Sequence, residues 1–162
     1  MTDPTPDAVT TGEPSTVLDA AGGRYTIVSA DSHCGLPAPE YRPYLDAEFH
    51  DDFDQYLAQQ QAQRDEALTL NYDYIMGWET ANEEGLRGSF DAAQRDKELD
   101  ADGVAAEVMF ADADAITGFA SPPFGAGLGA GMIERPDLAF AGARAHNRFL
   151  VEFCATNPER RG

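Results

Sequence analysis

The residues best suited to chemistry in this sequence are Asp31 and His33, which are separated by one serine. They follow residues 25–30, whose β-branched and aromatic side chains predict a strand buried on both faces. Side chains two positions apart in a strand point to the same side, so the carboxylate and the imidazole can approach one metal ion. This mixed ligation suits zinc best, and also manganese or iron. Taken alone, the same spacing fits a hydrogen-bonded pair at a strand end.

The remaining histidines and a pair of acids have simpler structural interpretations. His50 precedes two aspartates, which indicates a helix start, and His146 stands among arginines, which indicates a surface or helix-packing position. Asp112 and Asp114 follow a second apolar segment, where solvated loop acids are the simplest explanation. If the strands belonged to a barrel, these acids would face its active-site rim.

The elements that must position these residues alternate between strand and helix. The first half of the chain predicts a strand at 25–30, a helix at 51–70 and an irregular stretch at 71–87. A second helix follows, capped by Ser89 and stopped at Gly103, and then a strand at 104–110 and a long loop to 135. The last helix begins at Pro136 and is stopped by Asn157 and Pro158. Such an alternation favours an α/β fold with a parallel sheet. The glycines of the long loop lack the spacing of a nucleotide-binding loop.

Composition narrows the class of protein. The chain has 162 residues and a formal net charge of −18, which disfavours nucleic acid and anionic membrane surfaces as partners. Residues 1–24 are rich in proline, threonine and acids, and we expect a disordered acidic tail there. No signal peptide or apolar run of membrane-spanning length is found, so a cytoplasmic location is expected, with Cys34 and Cys154 as free, packed thiols.

Four stretches, taken in order, resemble the amidohydrolase-related superfamily, in the branch of the aminocarboxymuconate-semialdehyde decarboxylases. They are the strand-end motif at 29–33, a helix-to-strand junction at 95–104, a second strand at 105–110 and a following helix at 143–160. Many relatives carry His-x-His at the first motif, and this branch often has an acid in its first place, as Asp31 is here. Two positions depart from the pattern: Leu36 stands where many relatives have glutamate, and His146 where they tend to have an aromatic residue.

The resemblance implies the N-terminal portion of a (β/α)₈ TIM barrel over residues 25–162, with Asp31 and His33 as metal ligands. It implies further ligands and the catalytic acid or base downstream of Gly162. A homo-oligomer is a separate expectation for the full-length protein. The implied activity is metal-dependent hydrolysis of a small carboxylated or cyclic compound, or else non-oxidative decarboxylation. A small α/β binding module without a metal is the alternative from another class.

Overall fold

The protein is mixed α/β and mostly helical, with a two-stranded parallel sheet. A computed structural model describes residues 25–111, 122–126 and 135–162. The elements, in chain order, are β1 (Ile27–Cys34), α1 (His50–Ala81), α2 (Glu83–Arg87), α3 (Ala92–Ala101), β2 (Val104–Ala111) and α4 (Pro136–Ala155). Two 3₁₀ helices, Ala38–Tyr44 and Ala47–Phe49, form the proline-rich connection after β1. The parallel pairing predicted from the strand and helix order is confirmed.

The edge of β2 that does not pair with β1 is hydrogen-bonded to residues 160–162. The amide of Glu107 donates to the carbonyl of Arg160 at 2.8 Å, and the amide of Gly162 donates to the carbonyl of Glu107 at 3.1 Å. These bonds form a parallel bridge between Glu107 and Arg161. Hydrogen bonds therefore join β2 to parallel backbone on both of its edges.

The core lies on one side of the sheet only. Cys34 and Met109 point into it from the strands and meet aromatic side chains from the helices and the proline-rich connection, among them Tyr41, Phe53 and Phe149. On the other side, Val28, Val108 and Phe110 are exposed. Among the described residues nothing covers the second face, so the burial on both faces predicted for the strand at 25–30 is not found there.

The first helix is a bent element. Asn71 has non-helical angles (φ −139°, ψ 36°), and Arg64 contacts Glu79 at 2.8 Å across this residue. In a straight helix these two positions would lie about 22 Å apart along the axis, so the second half of α1 turns back. Residues 72–81 and 83–87 are helical, where the sequence indicated an irregular stretch. The two glycines that suggested irregularity cost only about 1 kcal/mol each in a helix, which good helix formers around them offset.

The ends of α3 and α4 follow local capping rules. The carboxylate of Asp91 accepts hydrogen bonds from the amides of Ala93 and Gln94, so Asp91 is the N-cap of α3 and the prediction of Ser89 is wrong. The carbonyl of Ser89 instead accepts a hydrogen bond from the amide of Gly35. Gly103 has a positive φ of 70°, as predicted for a helix stop, and α4 begins at Pro136.

A short segment, Pro123–Gly125, packs against α4. A Cβ atom on Gly142 would lie 2.0 Å from the carbonyl oxygen of Pro123, so this close approach requires glycine. The predicted tail at 1–24, the acids Asp112 and Asp114 and the glycines at 127, 129 and 131 lie outside the described residues. Within the described ranges, no helix is long and apolar enough to cross a membrane.

Candidate metal-ligand pair on the first strand

The second half of β1 brings Asp31 and His33 together. His33 Nε2 lies 3.7 Å from Asp31 Oδ1, which confirms that the two side chains share one side of the strand. Ser32, between them, is buried on the opposite side, where its hydroxyl donates to that of Ser29 at 2.8 Å. Cys34 is fully buried in the core, as predicted. The pair is open to solvent, since the side chain of His33 is 35% exposed and that of Asp31 is 79% exposed.

The backbone of β2 orients the imidazole. His33 Nδ1 lies 3.2 Å from the carbonyl oxygen of Ala111. A carbonyl oxygen can only accept, so Nδ1 carries the proton in this hydrogen bond. In the neutral ring the lone pair is then on Nε2, the atom that faces Asp31. Metal-binding histidines commonly have this arrangement, in which the second ring nitrogen donates to a carbonyl or carboxylate.

The distance between the two ligand atoms fits a shared metal ion. Two ligands at about 2.1 Å from a tetrahedral zinc ion lie about 3.4 Å from each other. The observed separation of 3.7 Å between Asp31 Oδ1 and His33 Nε2 needs only a small side-chain adjustment to reach that value. Catalytic zinc sites use about three protein ligands. Among the described residues, no group of three or more potential ligands is found.

Apolar side chains lie beside the pair. In the sheet register, His33 is the partner of Phe110, and paired residues of neighbouring strands point to the same side. Phe110 and Val108, two positions apart on β2, are both exposed. The pair therefore lies on an apolar sheet face, which suits a small organic ligand better than a highly charged one.

His146 lies in the core and away from this pair. Its Nδ1 lies 2.9 Å from the hydroxyl oxygen of Tyr41. That hydroxyl accepts a hydrogen bond from the amide of Leu36 at 3.2 Å, so its own proton is available for the ring nitrogen. Burial lowers the pKa of His146 to about 4 and raises the pKa of Tyr41 above its usual value. The packing role predicted for His146 is confirmed, whereas a surface position is wrong. It lies among aromatic rings, beside Tyr41 and Phe149.

His50 is the first residue of α1, as its interpretation as a helix start predicted. Its Nε2 atom is buried without a hydrogen-bond partner among the described residues. His50 and the Asp31–His33 pair lie on different elements, and within the described residues they do not form a group of potential metal ligands.

A buried ion-pair cluster was not foreseen. The side chain of Glu107, in the middle of β2, is fully buried and accepts two hydrogen bonds on Oε2 from Arg95, at 2.6 and 3.1 Å. The guanidinium of Arg161 lies 3.6 Å from Glu107 and donates to Asp96. The signal in the sequence is one acid inside an otherwise apolar strand. The cluster links α3, β2 and the backbone at 160–162, and it lies on the core side of the sheet, opposite to His33.

Comparisons with known proteins find no matching family model, no matching curated protein and no matching solved structure. The assignment to the amidohydrolase-related superfamily therefore stays a prediction. Its support at the site is the geometry of Asp31 and His33.

Proposed function

We propose that this chain forms the first part of a metal-dependent hydrolase barrel of the amidohydrolase-related type. The observation that carries the proposal is the Asp31–His33 pair, with 3.7 Å between its ligand atoms and with the imidazole oriented by the Ala111 carbonyl. The pair lies near the carboxyl end of a parallel strand, which is where TIM-barrel enzymes hold their catalytic groups. The proposed substrate is a small carboxylated or cyclic compound.

The sheet geometry supports the barrel. Parallel backbone is hydrogen-bonded to both edges of β2. The described helices pack on one side of the sheet, and the exposed side carries Val108 and Phe110 beside the Asp31–His33 pair. A barrel wall has the same organisation, with helices outside and an apolar, strand-lined interior. Further strands would cover this face and supply the remaining ligands, since two protein ligands are fewer than a catalytic zinc site uses.

The chain's own residues define what the site can do. Asp31 contributes a carboxylate oxygen, and His33 contributes Nε2, whose direction is fixed by the hydrogen bond of Nδ1 to the Ala111 carbonyl. Val108 and Phe110 provide an apolar surface beside them. A metal ion bound there would supply a Lewis acid and lower the pKa of water toward about 7. The free thiols of the chain fit a reducing compartment such as the cytoplasm.

A decarboxylase of the same superfamily is the second candidate. It is favoured by the aspartate at the first motif position, which the resemblance associates with the decarboxylase-like branch. Assays of the metal-loaded longer protein on hydroxybenzoates and on lactones, with CO₂ release and ring opening followed separately, distinguish the two reactions. CO₂ release with inert lactones would exclude the hydrolase and support the decarboxylase.

The ligand assignment can be tested on this chain. We expect weak binding of one zinc ion in a competition titration with a chromogenic chelator, because two ligands hold zinc less tightly than three or four. His33→Ala and Asp31→Ala should each lower the affinity at least about tenfold, whereas His50→Ala, the matched control, should leave it unchanged. Equal zinc affinity in wild type and His33→Ala would show that the pair is not a metal site.

A further inference from the structure

The segment between residues 65 and 86, here called the arm, exposes an unusual number of large apolar side chains. Leu70 is 75% exposed and Tyr74 is 76% exposed, and Tyr72 and Trp78 are exposed as well. The only buried residue of α1, Phe53, lies near its other end. Isolated apolar residues are common on protein surfaces, but a group on one element marks an interaction site.

One face of the arm carries two of these aromatic rings with a gap between them. Tyr74, Gly77, Trp78 and Ala81 follow the three- and four-residue spacing that places side chains on the same face of a helix. A Cβ atom on Gly77 would meet nothing within 4 Å, so the space above it is open. We call this the outer face. It has no partner in the part of the chain that the structure describes.

The opposite side of the arm faces the first half of α1 and the residues that follow the arm. Glu79 contacts Arg64 there at 2.8 Å. A cleft of about 350 Å³ lies on this side, lined by Met76 and Leu86 of the arm and by Phe90, which follows α2. The exposure of the outer face is therefore not a consequence of the arm standing free on all sides.

The charge of the arm selects the kind of partner. Residues 65–86 contain no lysine or arginine and six acids, of which Glu79 is paired with Arg64: Asp65, Glu66, Asp73, Glu79, Glu83 and Glu84. Docking of a second copy would bring two such segments together in chains that each carry a net charge of −18, which repulsion opposes. Two features of the arm favour a cationic partner. Its acids attract positive charge, and the rings of Tyr74 and Trp78 do so as well, since aromatic faces attract lysine and arginine.

We propose that the outer face of the arm is a docking site for a basic amphipathic helix of a partner protein. Lysine or arginine side chains of that helix lie over the Tyr74 and Trp78 rings and near Asp73 and Glu84, and its apolar side covers the gap at Gly77. Helix-in-groove recognition of this kind reads anchors at three- and four-residue spacing. The site is separate from the Asp31–His33 pair and does not depend on the proposed enzymatic function.

The single tryptophan of the chain makes the test direct, because all tryptophan fluorescence comes from Trp78. The probe is a synthetic amphipathic helix of leucine and lysine, added to the whole chain at low salt. We expect a saturable shift of the emission to shorter wavelength as the ring loses contact with water. The affinity should weaken as salt is added, because the attraction is partly electrostatic. A peptide with glutamate in place of lysine should leave the emission unchanged.

Variants locate the site. Tyr74→Ser should weaken peptide binding about tenfold, as truncation of a central aromatic anchor does. The double variant Asp73→Asn/Glu84→Gln should also weaken binding. The matched control is Phe140→Ser, which removes an equally exposed aromatic ring from α4 and should leave binding unchanged. Circular dichroism verifies that each variant keeps its helices.

Three results would overturn the proposal. The first is an unchanged Trp78 emission at saturating lysine peptide. The second is an equal loss of affinity in Phe140→Ser and Tyr74→Ser. The third is self-association at low salt that Tyr74→Ser abolishes, which would assign the outer face to a second copy of the chain.

Discussion

At the scale of single residues, the imidazole of His146 couples folding to pH. Burial lowers its pKa in the folded protein to about 4, below the ordinary value of 6.5. The unfolded chain therefore takes up a proton first as the pH falls, and the stabilising contribution present above pH 6.5 is lost toward pH 4. Between pH 7 and pH 5 we expect the free energy of unfolding to fall by about 2 kcal/mol from this group. Chemical denaturation at a series of pH values measures it.

The control for this prediction is His146→Gln, whose side-chain oxygen can still accept from the Tyr41 hydroxyl but has no proton to gain near neutral pH. The variant should lose most of the pH dependence above pH 5. The pKa values of Asp46, Asp91 and Asp137 are lowered below 3.8. Their effect on the pH dependence of the free energy of unfolding therefore falls mainly at more acidic pH. If the free energy of unfolding changed equally with pH in the wild type and in His146→Gln, His146 would not be the source of the pH dependence.

The relative placement of side chains could be predicted from the sequence where it depends on local backbone geometry. The shared side of Asp31 and His33 follows from strand alternation alone, and the structure confirms it. The orientation of His33 by the Ala111 carbonyl was not predictable, because the two residues are 78 positions apart and meet only through sheet pairing. The same holds for Glu107, whose partners Arg95 and Arg161 come from other segments.

At the scale of elements, two glycines in helices make opposite demands. A Cβ atom at Gly142 of α4 would collide with the backbone oxygen of Pro123 at 2.0 Å, whereas one at Gly77 of α1 would meet nothing within 4 Å. We expect Gly142→Ala to destabilise the protein by about 1–3 kcal/mol through overpacking. Gly77→Ala should stabilise it by up to about 1 kcal/mol, because alanine favours the helix. Thermal or urea unfolding measures both.

The two substitutions control each other, since the chemical change is the same and only the surroundings differ. A stabilising Gly142→Ala would show that the Pro123–Gly125 segment does not pack tightly against α4. A destabilising Gly77→Ala would show that the space at Gly77 is filled, and would also weaken the case for the outer face of the arm.

Element boundaries were predictable to the extent that a local signal fixes them. Pro136 at the start of α4 and Gly103 after α3 act within one turn, and both predictions are confirmed. The N-cap of α3 was misassigned because Ser89 and Asp91 are both good caps, and the choice depends on the contact between Ser89 and Gly35. The helix after Asn71 was missed because part of its stability comes from tertiary contacts such as Arg64–Glu79, which sequence spacing does not reveal.

At the scale of the whole molecule, two features of the protein have opposite effects on association between chains. The face of the sheet that holds Val28, Val108 and Phe110 is apolar and exposed, which favours association. The net charge of −18 opposes it by repulsion between chains. The parallel α/β organisation that follows from the order of strands and helices is confirmed. The exposed face was not predictable from local sequence, because the apolar segment at 25–30 indicated burial on both sides.

The balance between these forces gives the last prediction. Screening lengths fall from about 30 Å at 0.01 M salt to about 3 Å at 1 M, so added salt removes the repulsion and leaves the apolar attraction. We expect light scattering to show a low mass at low salt that increases as sodium chloride is raised. The double variant Val108→Thr/Phe110→Thr should reduce this increase, whereas Val151→Ser, at an exposed apolar position on α4, should not. A mass independent of salt, or an equal effect of both variants, would show that the sheet face does not drive association.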